Sequence, residues 1–222
     1  MGFRASCLTV LLLLVLPSTE RAAEPTAAEL ADGLQRKYST VRDFTADFVQ
    51  EYKSVLKKRL TERGTVKVKK PGLMRWDYKS PEEKQFVSDG INMYTYIRQD
   101  RQYFITPLPT DDKATTPILF LAGKGNLVRD FTPSRVETPA GLPAGSRALK
   151  LTPKVPQTEF EWLMIVFDPS TFALRGLSFL DSQGGESTFV FTNWKENTGV
   201  ATETFVFKPP RNVDKVTDAT RR

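Results

Sequence analysis

Residues 65–78 read Thr65-Val66-Lys67-Val68-Lys69-Lys70-Pro71-Gly72-Leu73-Met74-Arg75-Trp76-Asp77-Tyr78. Val66 and Val68 alternate with Thr65, Lys67 and Lys69. Beyond Pro71-Gly72, Met74, Trp76 and Tyr78 share one face, with Arg75 and Asp77 opposite. A period of two marks a strand with one buried and one solvated face. The same period runs back through Phe44, Ala46 and Phe48, set against Thr45, Asp47 and Val49. Forward, strand-like runs cover 85–88, 93–98, 102–106, 160–167, 173–181, 187–194 and 202–208. Turn chemistry separates them at Asp89-Gly90, Asp168-Pro169-Ser170, Gly184-Gly185 and Asn197-Thr198-Gly199. The expectation is a mainly β chain with a few helices, built on a meandering antiparallel sheet of about ten strands.

Helical signals are few. Thr26 with Glu29 three residues later fits a capping box, and Leu30, Leu34, Tyr38 and Val41 follow at helical spacing. Gly33 weakens that helix by about 1 kcal/mol relative to Ala. Later, Thr116 is placed to cap a short turn with Pro117 at its first position. Ile118, Leu119, Phe120 and Leu121 fill the turn, and Gly123 and Gly125 end it. A turn apolar on every side must bury itself, here against the sheet. A further helical stretch is expected over 126–130. Ten aromatic residues lie between Phe160 and Phe207, on both strand faces: Phe189 and Phe191 are expected opposite Val190 and Trp194. This surplus fits a curved sheet whose concave face is filled by helices, a ligand or both, and equally fits a packed β-barrel core.

Composition removes much chemistry. Among 222 residues there is no histidine, and Cys7 is the only cysteine. Imidazole bases, His-ligated metals, thiolate clusters and intrachain disulfides are excluded. No metal or cofactor is expected. Arg4 precedes the run LTVLLLLVL at 8–16, which is far short of the about 20 residues a membrane-spanning helix needs. Residues 1–23 read as a secretory signal peptide cleaved within 18–23, leaving 24–222 as a single thiol-free domain outside the cytoplasm. The chain carries a net charge of +6, with eight basic residues and one acid, Glu62, between Lys53 and Lys70. In an exported chain without a nucleic-acid motif, no nucleic-acid partner is expected. The basic stretch reads as solvated strand faces and a hairpin turn, or as a docking patch for an acidic partner.

The segment Lys69-Lys70-Pro71-Gly72-Leu73-Met74-Arg75-Trp76-Asp77-Tyr78, followed by Pro81, resembles the signature of the LolA-type outer-membrane lipoprotein carriers. Other similarities follow in the family's order. They are Phe44 and Phe48 with Gln50, Val87-Ser88-Asp89-Gly90 with Tyr94, Thr116-Pro117-Ile118-Leu119, Leu149 with Leu151-Thr152-Pro153, and Phe205-Val206-Phe207-Lys208-Pro209-Pro210 with Val213-Asp214. The resemblance covers nearly all of 24–222. It implies an unclosed antiparallel β-barrel, a half-barrel, with a helical lid over an apolar cavity. It also implies a monomeric periplasmic carrier in a Gram-negative bacterium. Such a carrier takes acylated lipoproteins from an inner-membrane lipoprotein-releasing ABC transporter and hands them to an outer-membrane receptor.

The implied site has two parts. Phe44, Phe48, Met74, Trp76 and Tyr78 are expected to line the acyl-chain cavity. Lys70, Thr116, Pro117, Ile118, Leu119 and Leu121 are expected to form the lid and its gate. Some members of the family carry Arg before the Pro, bonded to lid-helix carbonyls. Lys70 offers a flexible ammonium instead of a planar fork, and is expected under the last carbonyls of the 116–122 turn. Plain core packing explains the apolar positions as well. Two other readings are compatible with the residues. A sensor or glycolipid carrier can use the same fold. A serine acylase is suggested only by Ser54-Val55-Leu56-Lys57, an S-x-x-K match without a following K-T-G or S-D-N. The adjacent acids Glu82-Glu83 and Asp111-Asp112 read as solvated turns, so no enzyme activity is expected.

Overall fold

A computed structural model describes residues 24–109 and 120–216. The expected signal segment and Thr116, Pro117, Ile118 and Leu119 of the expected lid lie outside the described residues, as do Asp111 and Asp112.

The sheet grows from the 65–78 stretch. β1 (Asp43–Lys53) and β2 (Arg59–Lys69) pair antiparallel over eleven residues each, placing Phe44 opposite Val68, Ala46 opposite Val66 and Phe48 opposite Gly64. β3 (Leu73–Ser80) returns with Met74 opposite Val68 and Trp76 opposite Val66. Alternation therefore puts every residue of the apolar set on one side. Gly64 makes this possible: a Cβ there would lie 2.2 Å from the Asp77 carbonyl and 2.8 Å from the Phe48 ring. β4 (Lys84–Asp89), β5 (Asn92–Ile97) and β6 (Gln102–Pro107) continue the meander as one wing. On the other side β1 pairs with β11 (Glu186–Glu196), which leads to β10 (Leu174–Asp181), β9 (Phe160–Phe167), β8 (Arg147–Pro153) and β7 (Phe131–Val136). β12 (Asp214–Val216) adds to β6 in parallel, the one non-antiparallel pair among the described strands. The twelve strands form one sheet that ends at β12 and β7 without closing on itself.

The structure departs from the periodic pattern in three places. The 202–208 run is not a strand. Thr202–Phe205 is a 3-10 turn, and the segment crosses the outer face of β2–β6. Lys69 holds it there by donating to the Val200 carbonyl (3.0 Å) and the Thr202 hydroxyl (2.9 Å), while Phe207 stacks on Tyr94. Alternation alone cannot separate a strand from an extended strap with one face down. Conversely, β7, β8 and β12 lay beyond the periodicity reading. β7 is interrupted by Pro133, and β12 is only three residues long. Third, Trp194 lies on the same side as Phe191, not opposite it. A bulge in the β1–β11 pairing places Asn193 at φ 52°, bonded to Asp47 by its side chain (2.6 Å). One extra residue flips every later side chain, so Trp194 stacks on Phe44 at 4.2 Å between ring centres.

The helices fill the concave side. α1 (Ala27–Thr40) starts with the expected capping box, in which the Glu29 amide donates to the Thr26 hydroxyl. Its Leu30, Ala31 and Leu34 are buried in the core shared with β1–β3 and β7–β11. Gly33 is required by Phe172, whose ring would lie 2.5 Å from a Cβ at that position. α2 (Leu127–Asp130) is capped by Asn126, and its Leu127 is buried beside α1. Phe120, Leu121 and Ala122, the end of the greasy turn, join the same core.

Candidate functional site

Phe44, Phe48, Met74, Trp76 and Tyr78 come together as one floor, all 0–6% exposed. The rings meet edge to face: Phe48 on Trp76 at 5.0 Å, Phe48 on Tyr78 at 4.8 Å, and Trp76 on Phe189 at 5.4 Å. Such pairs add about 0.5–1.5 kcal/mol each beyond the area they bury. The floor has one unpaired polar atom, the Trp76 indole N–H, which is buried without an acceptor. An orphaned buried donor costs about 1–3 kcal/mol. At its far edge the floor turns polar. Tyr78 donates to the Gln50 side chain at 2.7 Å, and the Lys84–Glu62 ion pair closes over Tyr78, with the ammonium 4.4 Å from the ring centre. Burial, reinforced by Glu62, pushes the Tyr78 hydroxyl well above its ordinary pKa.

The β4–β6 wing continues the same concave face in a different state. Cross-strand register places Phe86 beside Trp76, Thr95 beside Phe86 and Phe104 beside Thr95. Met93 lies beside Ser88, itself opposite Met74. Phe86, Met93 and Phe104 are only half-buried. The apolar surface is thus sealed at β1–β3 and partly open at β4–β6.

Lys70 lies where the floor meets the helices, but its bonds differ from expectation. Its ammonium donates to the carbonyl of Tyr38, in the last turn of α1, and sits 3.5 Å from the centre of the Tyr38 ring. Its stem passes so close to Gly123 that a Cβ there would lie 2.9 Å away. The lid carbonyls have other donors. The Tyr38 hydroxyl donates to Leu121 (2.7 Å), the Gly72 amide to Ala122 (2.9 Å) and the Gly123 amide to Phe120 (3.0 Å). Tyr38 also stacks on Phe120, with ring centres 5.6 Å apart. Lys70 therefore reaches the lid turn through Tyr38. Burial lowers the Lys70 pKa to about 8, against the opposing pull of Glu196. Glu196 pairs with Lys37 at the C-terminal end of α1 and accepts from the Trp194 indole at 2.9 Å. Burial and the same carboxylate hold the Tyr38 hydroxyl far above its usual range.

Of the predicted lid residues, Leu121 is described, and it is fully buried. Sequence reasoning counted Tyr38 only as a helix-core position. Nothing local marks it as the hub, because its partners lie 32 and 83 residues away. The wing residues Phe86, Met93 and Phe104 fall within the expected strands but outside the expected floor. Ser54 and Lys57 sit on the exposed β1–β2 turn, where the Ser54 hydroxyl accepts from the Lys58 amide at 3.2 Å. That hydroxyl serves the turn. A separate groove of about 790 Å³ on the outer face, bordered by Lys67, Arg75, Asp77 and Glu203, is polar and of mixed charge.

The concave face thus carries a buried apolar floor, a half-buried wing and a helical turn bonded to Tyr38. The model of the family described as outer membrane lipoprotein carrier protein LolA matches residues 39–208. The chain belongs to this family. It is 31% identical over 206 residues to an outer-membrane lipoprotein carrier protein of Chromohalobacter salexigens, covering 91% of this chain and 92% of that one. A Legionella pneumophila protein of the same description is 28% identical, with 92% and 96% covered. An uncharacterized conserved protein from Thermus thermophilus superposes with a TM-score of 0.50 at 13% identity, over 86% of this chain and 98% of that one. At that identity the likeness concerns the fold alone.

Proposed function

We propose that this LolA-family chain shields the acyl chains of lipoproteins against its concave face and carries them across the periplasm of a Gram-negative bacterium. The inner-membrane releasing transporter loads it, and an outer-membrane receptor unloads it. The energetic need is direct. Each methylene left in water costs about 0.8 kcal/mol, so an acyl chain of ordinary length costs on the order of 10 kcal/mol. No small hydrophilic protein crosses an aqueous gap with several such chains exposed.

The observation that carries this reading is the continuity of the sealed floor with the half-buried Phe86–Met93–Phe104 wing under the latched turn. In the proposed cycle an arriving acyl chain spreads over the wing and displaces the 120–122 turn from the floor. The Tyr38–Leu121 and Lys70–Tyr38 bonds then break. Their re-formation supplies the closing free energy that helps expel the chain at the receptor. The unpaired Trp76 N–H would find an acceptor in an ester or amide carbonyl of the cargo. The chain acts by binding and release, not by catalysis, and Ser54 and Lys57 take no part.

The test is displacement. The protein should bind an environment-sensitive apolar dye at one or a few molecules per chain, and a purified acylated lipoprotein should remove it. Dye binding no better than to a compact control protein of similar size, or no displacement by acylated lipoprotein, would count against the reading.

A further inference from the structure

The β1–β2 turn has a feature that cargo binding does not use. Of the large apolar side chains exposed among the described residues, three fall within 55–60: Val55 at 64%, Leu56 at 79% and Leu60 at 44%. Ile91, Val128, Val155 and Val206 lie elsewhere. Single exposed apolar residues are ordinary. Here two are adjacent, at the point of a long hairpin. The turn holding them is well bonded: Ser54 N–H to Lys58 O at 2.9 Å, Lys57 N–H to Ser54 O at 2.8 Å, and Lys58 N–H to the Ser54 hydroxyl. Lys57 adopts φ 61°, which reverses the chain and leaves Val55 and Leu56 at the apex.

The flanks are basic. Lys53, Lys57, Lys58 and Arg59 flank the two apolar residues in sequence, and 53–60 contains no acid; across the sheet Val55 lies against Gly184 of the β10–β11 turn. Arg59 pairs with Glu51 at 2.7 Å, and Lys53 lies opposite Glu186. Lys57 and Lys58 have no acidic partner among the described residues. An apolar point within a basic collar matches the layering of an anionic bilayer, with hydrocarbon below and phosphate at the rim. A protein partner fits less well. A stable interface takes about 800 Å² from each side, far more than two side chains at a turn provide.

We propose that the β1–β2 hairpin tip is a membrane-contact point, where Val55 and Leu56 enter the acyl boundary of a bilayer containing anionic phospholipid and Lys57 and Lys58 rest on its headgroups. β1 runs from the Tyr38–Lys70 latch at Asp43 to this tip, a span of about 35 Å. Contact through the tip therefore holds the carrier at the membrane by one end and leaves the latch end off the surface. The contact is weak by construction. One basic residue near an anionic surface is worth about fivefold in affinity. A carrier that must leave again needs no more.

The experiment is sedimentation of the mature chain with vesicles of phosphatidylcholine containing about one third phosphatidylglycerol. The expected result is binding that falls steeply between about 0.1 and 0.5 M salt and is weak on pure phosphatidylcholine. Val55→Ser with Leu56→Ser, and separately Lys57→Gln with Lys58→Gln, should each weaken binding about tenfold or more. Both should leave thermal melting and apolar-dye uptake unchanged, which separates this inference from the cavity. Leu56→Trp should retain binding and show a blue shift of its added emission on the vesicles. Four results would overturn the proposal. They are no vesicle binding by the unaltered chain, equal binding by both double variants, full competition by monomeric short-chain phosphatidylglycerol, and tip-dependent capture of an acidic peptide without vesicle binding.

Discussion

The two ends of β1 use the same kind of residue in opposite ways. At the latch end, Lys70 is largely buried and spends its charge on one carbonyl and one ring, both belonging to Tyr38. At the tip end, Lys57 and Lys58 are exposed and, among the described residues, without acids. The apolar residues reverse in parallel. Phe44 at the latch end is fully buried, whereas Leu56 at the tip is mostly in water. The hairpin is thus graded from packed to bare along its length. One end is bonded to α1 and the 120–122 turn, and at the other Lys57 and Lys58 have no acidic partner among the described residues. Composition cannot express this difference, since Lys70 and Lys57 are equivalent as counted charges.

The contrast is broken most sharply by truncation. Phe44→Ala should destabilise the fold by about 3–5 kcal/mol, because it removes a buried ring stacked on Trp194 and leaves a cavity. Denaturant midpoints measure it, and a loss below about 1 kcal/mol would mean that the latch end is loosely packed. Next comes Tyr38→Phe, which keeps the ring on Phe120 but leaves the buried Leu121 carbonyl unpaired. A loss of about 1–3 kcal/mol is expected, together with faster amide exchange at Gly123 and its neighbours.

A smaller effect concerns pH. The folded state holds Lys70 at about 8 rather than 10.5, so it binds that proton less readily than the unfolded chain. Lys70's contribution is therefore least favourable below pH 8 and improves as pH rises from 8 towards 10.5. The stability of the unaltered protein relative to Lys70→Met should increase over that window. A gap that stays constant or shrinks would place Lys70 in ordinary solvent. Leu56→Ala is the smallest, within about 0.5 kcal/mol of no change. A larger loss would mean that the tip is packed against something in the folded monomer.

Much of the fold was legible because alternation around Val66–Val68 and Met74–Trp76–Tyr78 is a direct record of which face is buried. The capping box at Thr26 was equally plain. Three things were not. The inversion at Trp194 depends on a single extra residue at Asn193, which no period can announce. The strap over 202–208 has strand-like spacing, and the side-chain bonds from Lys69 with the stack of Phe207 on Tyr94 show that it lies on the sheet instead of in it. The third is the latch. The sequence points to Lys70 through its place before Pro71, but not to Tyr38, whose ring and hydroxyl join two segments far apart in the chain. Buried floor positions written as every second residue are readable one strand at a time, whereas a contact between a helix end and a distant turn is not.

The most direct test separates loading from handover. Tyr38→Phe and Lys70→Leu are each assayed first for uptake of an acylated lipoprotein from inner-membrane vesicles, and then for its transfer to the outer-membrane receptor. The charged Lys70 bond is worth about 1.5–3 kcal/mol, a factor of roughly 10–150 in the lid equilibrium, and the neutral Tyr38 bond about 0.5–1.5 kcal/mol, a factor of roughly 2–13. The expected result is loading at or above the unaltered level, with transfer slowed within those ranges, because the re-closing bonds that help expel the chain are gone. Normal transfer after normal loading, or loss of loading with transfer intact, would contradict the latch.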